Sequence, residues 1–297
     1  MNTRKGITIT EVLVAISVAS VLMAILVPAV MSVREQSRKA TCKNNMRQLG
    51  IGLQLYLASF GQFPKTARAG MGPSHVHLLP HLDQARTYAT YISNTRPWTV
   101  EEAKNIPRIA TFVCPSDLNG SRPKALSYAE NRGHAEGKGE RMTLASWPIH
   151  NGVFQHSRCS FVLRPAVIRD GQANTAAYAE LLSLPKPRRV LFVAAPHDRA
   201  QRASASDLIH HCLTVATIGN PGVLRGDNWM SSLLPGSGYV HLLPPNGKSC
   251  VFQPGAGSDH VGGAHVTFCD GSLKFVANEV DTKVWIAMGT FAGGDEY

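Results

Sequence analysis

Lys5-Gly6-Ile7-Thr8-Ile9-Thr10-Glu11, then Val12 to Val33 without a charge, then Arg34, Arg38, Lys39, Lys43 and Arg47: this stretch decides how the chain is built. Roughly 20 apolar residues make a helix about 30 Å long, enough to cross the hydrocarbon core of a bilayer. Ala15, Ser17, Ala19, Ser20 and Ala24 are small enough to let another helix approach closely. Glu11 stands at the edge of the run, where a carboxylate is costly unless it finds a partner or stays near the headgroups. Charge bias alone, with Arg4 and Lys5 before the run and five basic residues after it, would keep the C-terminal side in the cytoplasm. A cleaved secretory signal fits poorly, because no small-x-small site closes the apolar segment.

Beyond the apolar run the helix continues. Cys42, Met46, Leu49, Leu53, Tyr56 and Phe60 recur at alternating steps of four and three, one stripe of a helix. Arg38, Lys39, Lys43, Arg47 and Gln48 fill the other faces, and Gly61 with Phe63-Pro64 ends the pattern. The expectation is one helix from Ile7 to about Phe60, about 80 Å long, with Gly50 and Gly52 as local weak points.

The chain has 297 residues, so the remainder is long enough for one soluble domain of roughly 250 residues, or two small ones. A formal charge of +10 favours anionic surfaces such as acidic headgroups or cell-wall polymers. Nucleic acid is not expected as a partner, since no basic run accompanies an aromatic platform. Residues 68–76 read as loop, and His77 to Asp83 as the start of a short helix running through Ala85 to Tyr91. Ile109 to Cys114 reads as a strand closed by Pro115-Ser116-Asp117, and Asn119 to Arg141 as a surface excursion around Ser127-Tyr128. Val190 to Ala195 and Val240 to Leu243 are strand-like. The clearest signal is Ala264 to Cys269, Asp270-Gly271, Ser272 to Val276, a hairpin around a type I′ turn. Lys283 to Met288 reads as a terminal helix ended by Gly289.

The N-terminal stretch resembles the processing motif of type IV pilins and type II secretion pseudopilins. The resemblance implies cleavage by a prepilin peptidase between Gly6 and Ile7, N-methylation of Ile7, and Glu11 as fifth mature residue, pairing with a neighbouring subunit's amine. Removal of Arg4 and Lys5 with the leader would lower the charge by two, to +8. Ile7 departs from the usual Phe, whereas Pro28 matches the family's helix proline, expected to kink or open the helix. The motif also requires a cytoplasmic N-terminus, which overrides the charge bias.

A second resemblance runs through the rest of the chain. Ser258-Asp-His260-Val-Gly262-Gly263, Asp270-Gly271-Ser272 and Phe275 resemble the His-x9-Asp-Gly signature of a pseudopilin-like family of unknown function, abundant in planctomycete-type bacteria. Cys42 to Gly50, Phe63-Pro64, Cys114 to Asp117, Tyr128 with Asn131 and Gly133, Asp170-Gly171 with Asn174-Thr175 and Glu180, and Pro244 to Gly247 with Cys250 agree with it, Ala173 replacing a usual Ser. No enzymatic activity carries over with that family.

The implied architecture is α+β and pilin-like, a long N-terminal transmembrane and amphipathic helix packed on a small antiparallel-sheet domain. Its expected parts are a leader (1–6), a membrane or filament-core helix (7–33), an amphipathic continuation (34–62) and an extracytoplasmic domain (63–297). The expected role is a structural subunit of the inner (cytoplasmic) membrane with a periplasmic domain, assembled with other pilin-like subunits and in contact with lipid. Arg34, Arg38, Lys39 and Lys43 are candidate contacts to headgroups or neighbours. The alternatives are a membrane-anchored module that binds a ligand or polymer and, behind it, an anchored hydrolase. No nucleophile elbow, H-E-x-x-H or phosphate loop supports an enzyme.

His260, His265 and Asp270 can be metal ligands, but Asp270 as a turn residue bonding backbone amides is the better reading, with His260 packing or capping the loop. Asp170, Asn174 and Glu180 are oxygen donors that could hold Ca²⁺, but their spacing is not that of an EF-hand, and an oxygen-rich turn with no cofactor is the better reading. Candidate metal ligands are thus His260, Asp270, Asp170 and Glu180. Cys42, Cys114, Cys159, Cys212, Cys250 and Cys269 allow 15 complete pairings. Cys42 on the packed stripe is placed to clamp the domain to the helix, and Cys269 inside a strand reads as a buried free thiol.

Overall fold

The computed structural model describes residues 8–66, 72–92, 106–118, 120–121, 124–133, 151–154, 163–182, 226, 228–230, 234–247 and 254–293. Helix α1 (Ile9–Phe60) is a single element of 52 residues, about 78 Å at 1.5 Å per residue. Its start is fixed by a capping box. Glu11 N–H donates to Thr8 Oγ1 at 3.3 Å, and Thr8 N–H donates to Glu11 Oε2 at 2.8 Å. Pro28 lies within the helix without interrupting it, and Gly61 closes the end by donating its N–H to the Leu57 carbonyl. Every side chain from Thr8 to Arg34 is exposed, whereas Cys42, Met46, Leu49, Leu53, Tyr56 and Leu57 are buried. The stripe read from the sequence therefore holds to Tyr56. Phe60 departs from it, lying exposed against Tyr56, and Leu57 turns inward instead.

After α1 come α2 (Ser74–Leu78), a 3-10 turn (Leu79–Leu82) and α3 (Ala85–Ile92). Residues 74–76 are helical rather than loop, and left-handed Asp83 breaks the expected continuous helix in two. The sheet holds β1 (Tyr128–Asn131), β2 (Ala176–Glu180), β3 (Gly238–Tyr239), β4 (Gly263–Phe268) and β5 (Leu273–Ala277) in the order β3-β1-β2-β4-β5. All neighbours are antiparallel except the β1/β3 pair. A four-residue helix α4 (Leu234–Ser237) leads into β3, and α5 (Thr282–Met288) follows β5, N-capped by Asp281 and closed by Gly289. The terminal helix and the β4–β5 hairpin are thus where the sequence puts them.

Both faces of the sheet are covered, which is why β1, β2 and β4 are buried at every position. One face packs Tyr128, Ala177 and Tyr178 against Cys42, Met46, Leu49 and Leu53 of α1. The other packs Ala129, Ala176, Ala179, Val266 and Phe268 against Tyr239 and Trp285. Close docking of α1 needs Gly50, because a Cβ there would meet Gly271 O and Thr267 Cγ2 at 3.0 Å each. Two hydrogen bonds tie the same surfaces, Gln54 Nε2–H to Cys269 O (2.6 Å) and Thr267 Oγ1–H to Met46 O (3.3 Å). Gly50 is thus a contact point as well as a weak one.

Four expectations from the sequence do not hold. Ile109 to Cys114 is a 3-10 turn (Ala110–Phe112), not a strand, because Asn45 Nδ2 of α1 reaches the Val113 carbonyl and the chain must bend Cys114 towards α1. Tyr128–Asn131 is not a surface excursion but an interior strand. Its buried Glu130 accepts from Thr66 Oγ1 (3.0 Å) and Ser74 N (2.7 Å) and pairs with Arg132. The hairpin turn is not type I′. Gly271 N–H closes Phe268 to Gly271, Gly271 has φ 83°, and Asp270 keeps a negative φ, so the connection is a type I-like turn followed by a left-handed glycine. Val240 to Leu243 is not a strand: Val240 N–H donates to the Pro254 carbonyl and His241 N–H to the Gly133 carbonyl, outside the ladder, and the strand is the pair before it, Gly238–Tyr239. Val190 to Ala195 falls outside the described residues.

Candidate functional site

Two regions carry the functional reading, the bare half of α1 and the junction where α1 enters the domain. In the first, Val12, Leu13, Ile16, Val21, Leu22, Ile25 and their neighbours up to Val33 are exposed. An uncharged helical face of this length is stable only in lipid or against other apolar helices. Ala15 and Ala19 leave a shallow groove beside Glu11, bordered by Val12 and Ile16. Glu11 is held by its own Thr8 cap, so one carboxylate sits at the head of the uncharged run Val12 to Val33. Gly6 and Ile7, the expected cleavage pair, lie outside the described residues.

At the junction, four segments of the chain converge. Cys42 of α1 is bonded to Cys114, across a sequence separation of 72 residues. His260, from the loop before β4, is packed beside this disulfide, with Nε2 3.6 Å from Cys114 Sγ and 3.6 Å from Glu180 Oε1. Its Nδ1 faces Glu35 Oε1 of α1 at 3.0 Å. Ser116 Oγ donates to the same Glu35 oxygen at 3.1 Å, and Arg38 Nη1 lies 3.7 Å from the other. Glu180, at the end of β2, accepts from His265 N–H at 2.8 Å through Oε2 and lies 3.3 Å from His265 Nδ1. Its Oε1 has no hydrogen-bond partner among the described residues. Burial, and next the Glu180 charge, push the nearby Tyr128 hydroxyl well above its ordinary pKa, so it stays protonated.

Of the residues singled out by sequence, His260, His265 and Glu180 meet here and Asp270 does not. Asp270 Oδ1 accepts from Ser272 N–H at 2.9 Å and serves the turn. Asp170 and Asn174 lie at the opposite end of β2 from Glu180. Asp170 Oδ2 accepts from Thr290 Oγ1 and Gly293 N, and Asn174 Nδ2 donates to the Asp170 carbonyl. An oxygen-rich Ca²⁺ site built from Asp170, Asn174 and Glu180 is therefore not formed. What is formed is a buried group of Cys42, Cys114, Glu180 and His260, whose two sulfurs are joined as a disulfide and have metal-donor character only when released as thiolates. Gly171 turns the chain into β2, while Gly262 and Gly263 lead into β4, where Asn278 N–H donates to the Gly262 carbonyl. Cys269 is a free buried thiol, raised well above its ordinary pKa by burial and then by Asp270, and hence an unreactive one. Cys159, Cys212 and Cys250 lie outside the described residues.

Sequence reasoning missed Glu35. The signal was present, because Glu35 is the one acidic residue between Glu11 and Asp83, set among basic ones. An isolated carboxylate at the membrane exit needs a partner, and His260 with Ser116 supplies it.

The exposed apolar helix, its continuation into a domain and the sheet packed on it define a membrane-anchored protein of pilin-like α+β architecture, with one helix among the described residues long and apolar enough to span a bilayer. Residues 1–27 match the prokaryotic N-terminal methylation motif, which carries the prepilin-type cleavage signal. Residues 31–283 match the family described as "Protein of unknown function (DUF1559)", and the chain belongs to that family. No curated protein and no solved structure matches the chain.

Proposed function

We propose that the chain is a pseudopilin-like structural subunit, cleaved after Gly6, N-methylated on Ile7 and assembled through α1 in a type II secretion or type IV pilus-like system. The observation that carries this reading is the bare helix, 22 uncharged residues from Val12 to Val33 with Glu11 at its head, rigidly continuous with the domain. A plain membrane anchor needs the apolar length but not a methylation motif or an acidic residue at the helix start. Lateral packing against other pilin-like helices would bury the Ala15–Ala19 groove and bring a neighbour's amine to Glu11. The C-terminal domain then stands on the periplasmic side of the inner membrane, and Arg34, Arg38, Lys39 and Lys43 lie at its headgroup level. The role is structural, with no catalytic residue assigned. Prepilin peptidase and membrane lipid are the first partners.

Intact mass and terminal peptide analysis of the protein from native membranes tests the reading. A chain that begins at Ile7 and carries one added methyl group supports it. A chain that begins at Met1 overturns it in favour of an uncut membrane anchor.

A further inference from the structure

The buried group at the helix–domain junction has the chemistry of a metal site whose ligands are partly locked away. One ligand atom from each of Cys42, Cys114, Glu180 and His260 lies within 4.8 Å of all the others. All four residues are at most 5% exposed. A second observation points inward. Glu180 Oε1 is a buried carboxylate oxygen with no hydrogen bond among the described residues, 3.6 Å from His260 Nε2. Leaving such an oxygen unsatisfied is costly, and a cation between it and the imidazole would remove the cost. A third is the setting of His260. With its proton on Nδ1 donated to Glu35 at 3.0 Å, Nε2 presents its lone pair to the cluster, the carboxylate–imidazole arrangement that orients metal-bound histidines.

We propose that Cys42, Cys114, Glu180 and His260 form a site for a tetrahedral divalent cation of the zinc class, closed by the Cys42–Cys114 disulfide and opened by its reduction. Two thiolates, one imidazole and one carboxylate suit a borderline-soft ion and not the hard Ca²⁺. The chemistry balances with a dithiol reductant. Its sulfurs displace the Cys42–Cys114 bond and become a disulfide, and its two hydrogens pass to Cys42 and Cys114. Metal entry then forms two sulfur–metal bonds, releases those two protons to solvent, and adds His260 Nε2 and Glu180 Oε1 as third and fourth ligands. In either state one cross-link joins α1 to the domain at the same point, covalent when oxidised and metal-borne when reduced. The site lies within one chain and needs no assembled neighbour, so a negative cobalt result and an uncut N-terminus are independent outcomes.

The test uses the full chain in detergent micelles with Co²⁺ as probe, before and after reduction with a phosphine under anaerobic conditions. The expected result is one Co²⁺ per chain after reduction, with thiolate-to-cobalt charge transfer and the intense visible bands of a tetrahedral site, displaced by Zn²⁺. The oxidised chain is expected to give no such spectrum. Glu180→Gln and His260→Ala are each expected to weaken Co²⁺ binding by about 10-fold or more. The combined Cys159→Ser, Cys212→Ser and Cys250→Ser variant, and separately Cys269→Ser, are expected to keep the spectrum, which separates this site from the remaining cysteines. Equal binding by the oxidised chain, or a spectrum unchanged in both Glu180→Gln and His260→Ala, overturns the proposal. If removal of Cys42 or Cys114 prevents folding, Glu180→Gln decides the matter, because its disulfide still forms and its fold is checked in the oxidised state.

Discussion

Replacing both Cys42 and Cys114 by Ser removes the one disulfide cross-link between α1 and the domain among the described residues. The two cysteines are 72 residues apart, and closing a loop of that length restricts the unfolded chain enough to stabilise the folded one by about 4 kcal/mol. For a domain of roughly 250 residues this corresponds to a midpoint lower by about 8–16 °C. Cys42 is the first buried residue of α1, so the loss falls at the membrane end of the packed interface. Thermal unfolding of the full chain in detergent with a chelator present, followed by near-ultraviolet circular dichroism, measures the shift. Amide exchange should rise over residues 35–46 while the turns around Leu49 and Leu53 stay protected. Cys269→Ser serves as the control, because that thiol is buried but bridges nothing. A midpoint lowered by less than about 3 °C would refute the entropic argument and leave side-chain packing as the whole of the clamp.

Gly50→Ala is expected to cost about 1–3 kcal/mol, since its Cβ meets the backbone of Gly271, whereas the Cβ of Gly52→Ala comes no closer than 3.2 Å, to the end of the Leu82 side chain, and the change gains helix propensity, staying within about 1 kcal/mol of wild type; urea midpoints of the two compare them. Acid should destabilise the domain in two stages. Burial holds His75 below its ordinary pKa, so the unfolded chain takes up that proton first and stability falls as pH drops below about 6.5. Burial alone would raise Glu130, but Arg132, His75 and Ser74 outweigh it and hold the carboxyl below its ordinary range, so its contribution is present near neutrality and is lost as pH falls through that lower value. Denaturant midpoints at pH 8, 6 and 4 check the sign, and a flat profile refutes it. Glu35→Ala leaves the buried His260 Nδ1 without its acceptor and should cost about 1–3 kcal/mol, read as a lower melting midpoint.

The long helix and the terminal hairpin were legible because their signals are local. The uncharged run, the stripe from Cys42 to Tyr56 and Gly61 mark the helix, and Asp270-Gly271 marks the turn. The turn type was misread because Asp-Gly serves both type I′ hairpins and the three-residue connection seen here, and only the φ of Asp270 separates them. Ile109 to Cys114 has the composition of a strand, yet Asn45 and the disulfide, contacts made across the fold, bend it into a turn. Strand β1 was illegible for the opposite reason. Glu130 and Asn131 look like surface residues until Thr66, Ser74 and Arg132 on one side and the carbonyls of Ala176 and Gly289 on the other satisfy them. At the junction, His260 and Glu180 stood out by type and motif, while Asp270, equally prominent in the motif, serves only its own backbone.

The absence of a joint between the bare and packed halves of α1 sets the domain's posture. No loop separates them, and residues 34–60 extend about 40 Å beyond the apolar run. A tilt of about 20°, ordinary for a helix in a bilayer, then carries the Phe60 end about 14 Å sideways and takes the docked sheet with it. The local thickness of the bilayer, by setting that tilt, thereby selects which edge of the domain leans towards the membrane surface.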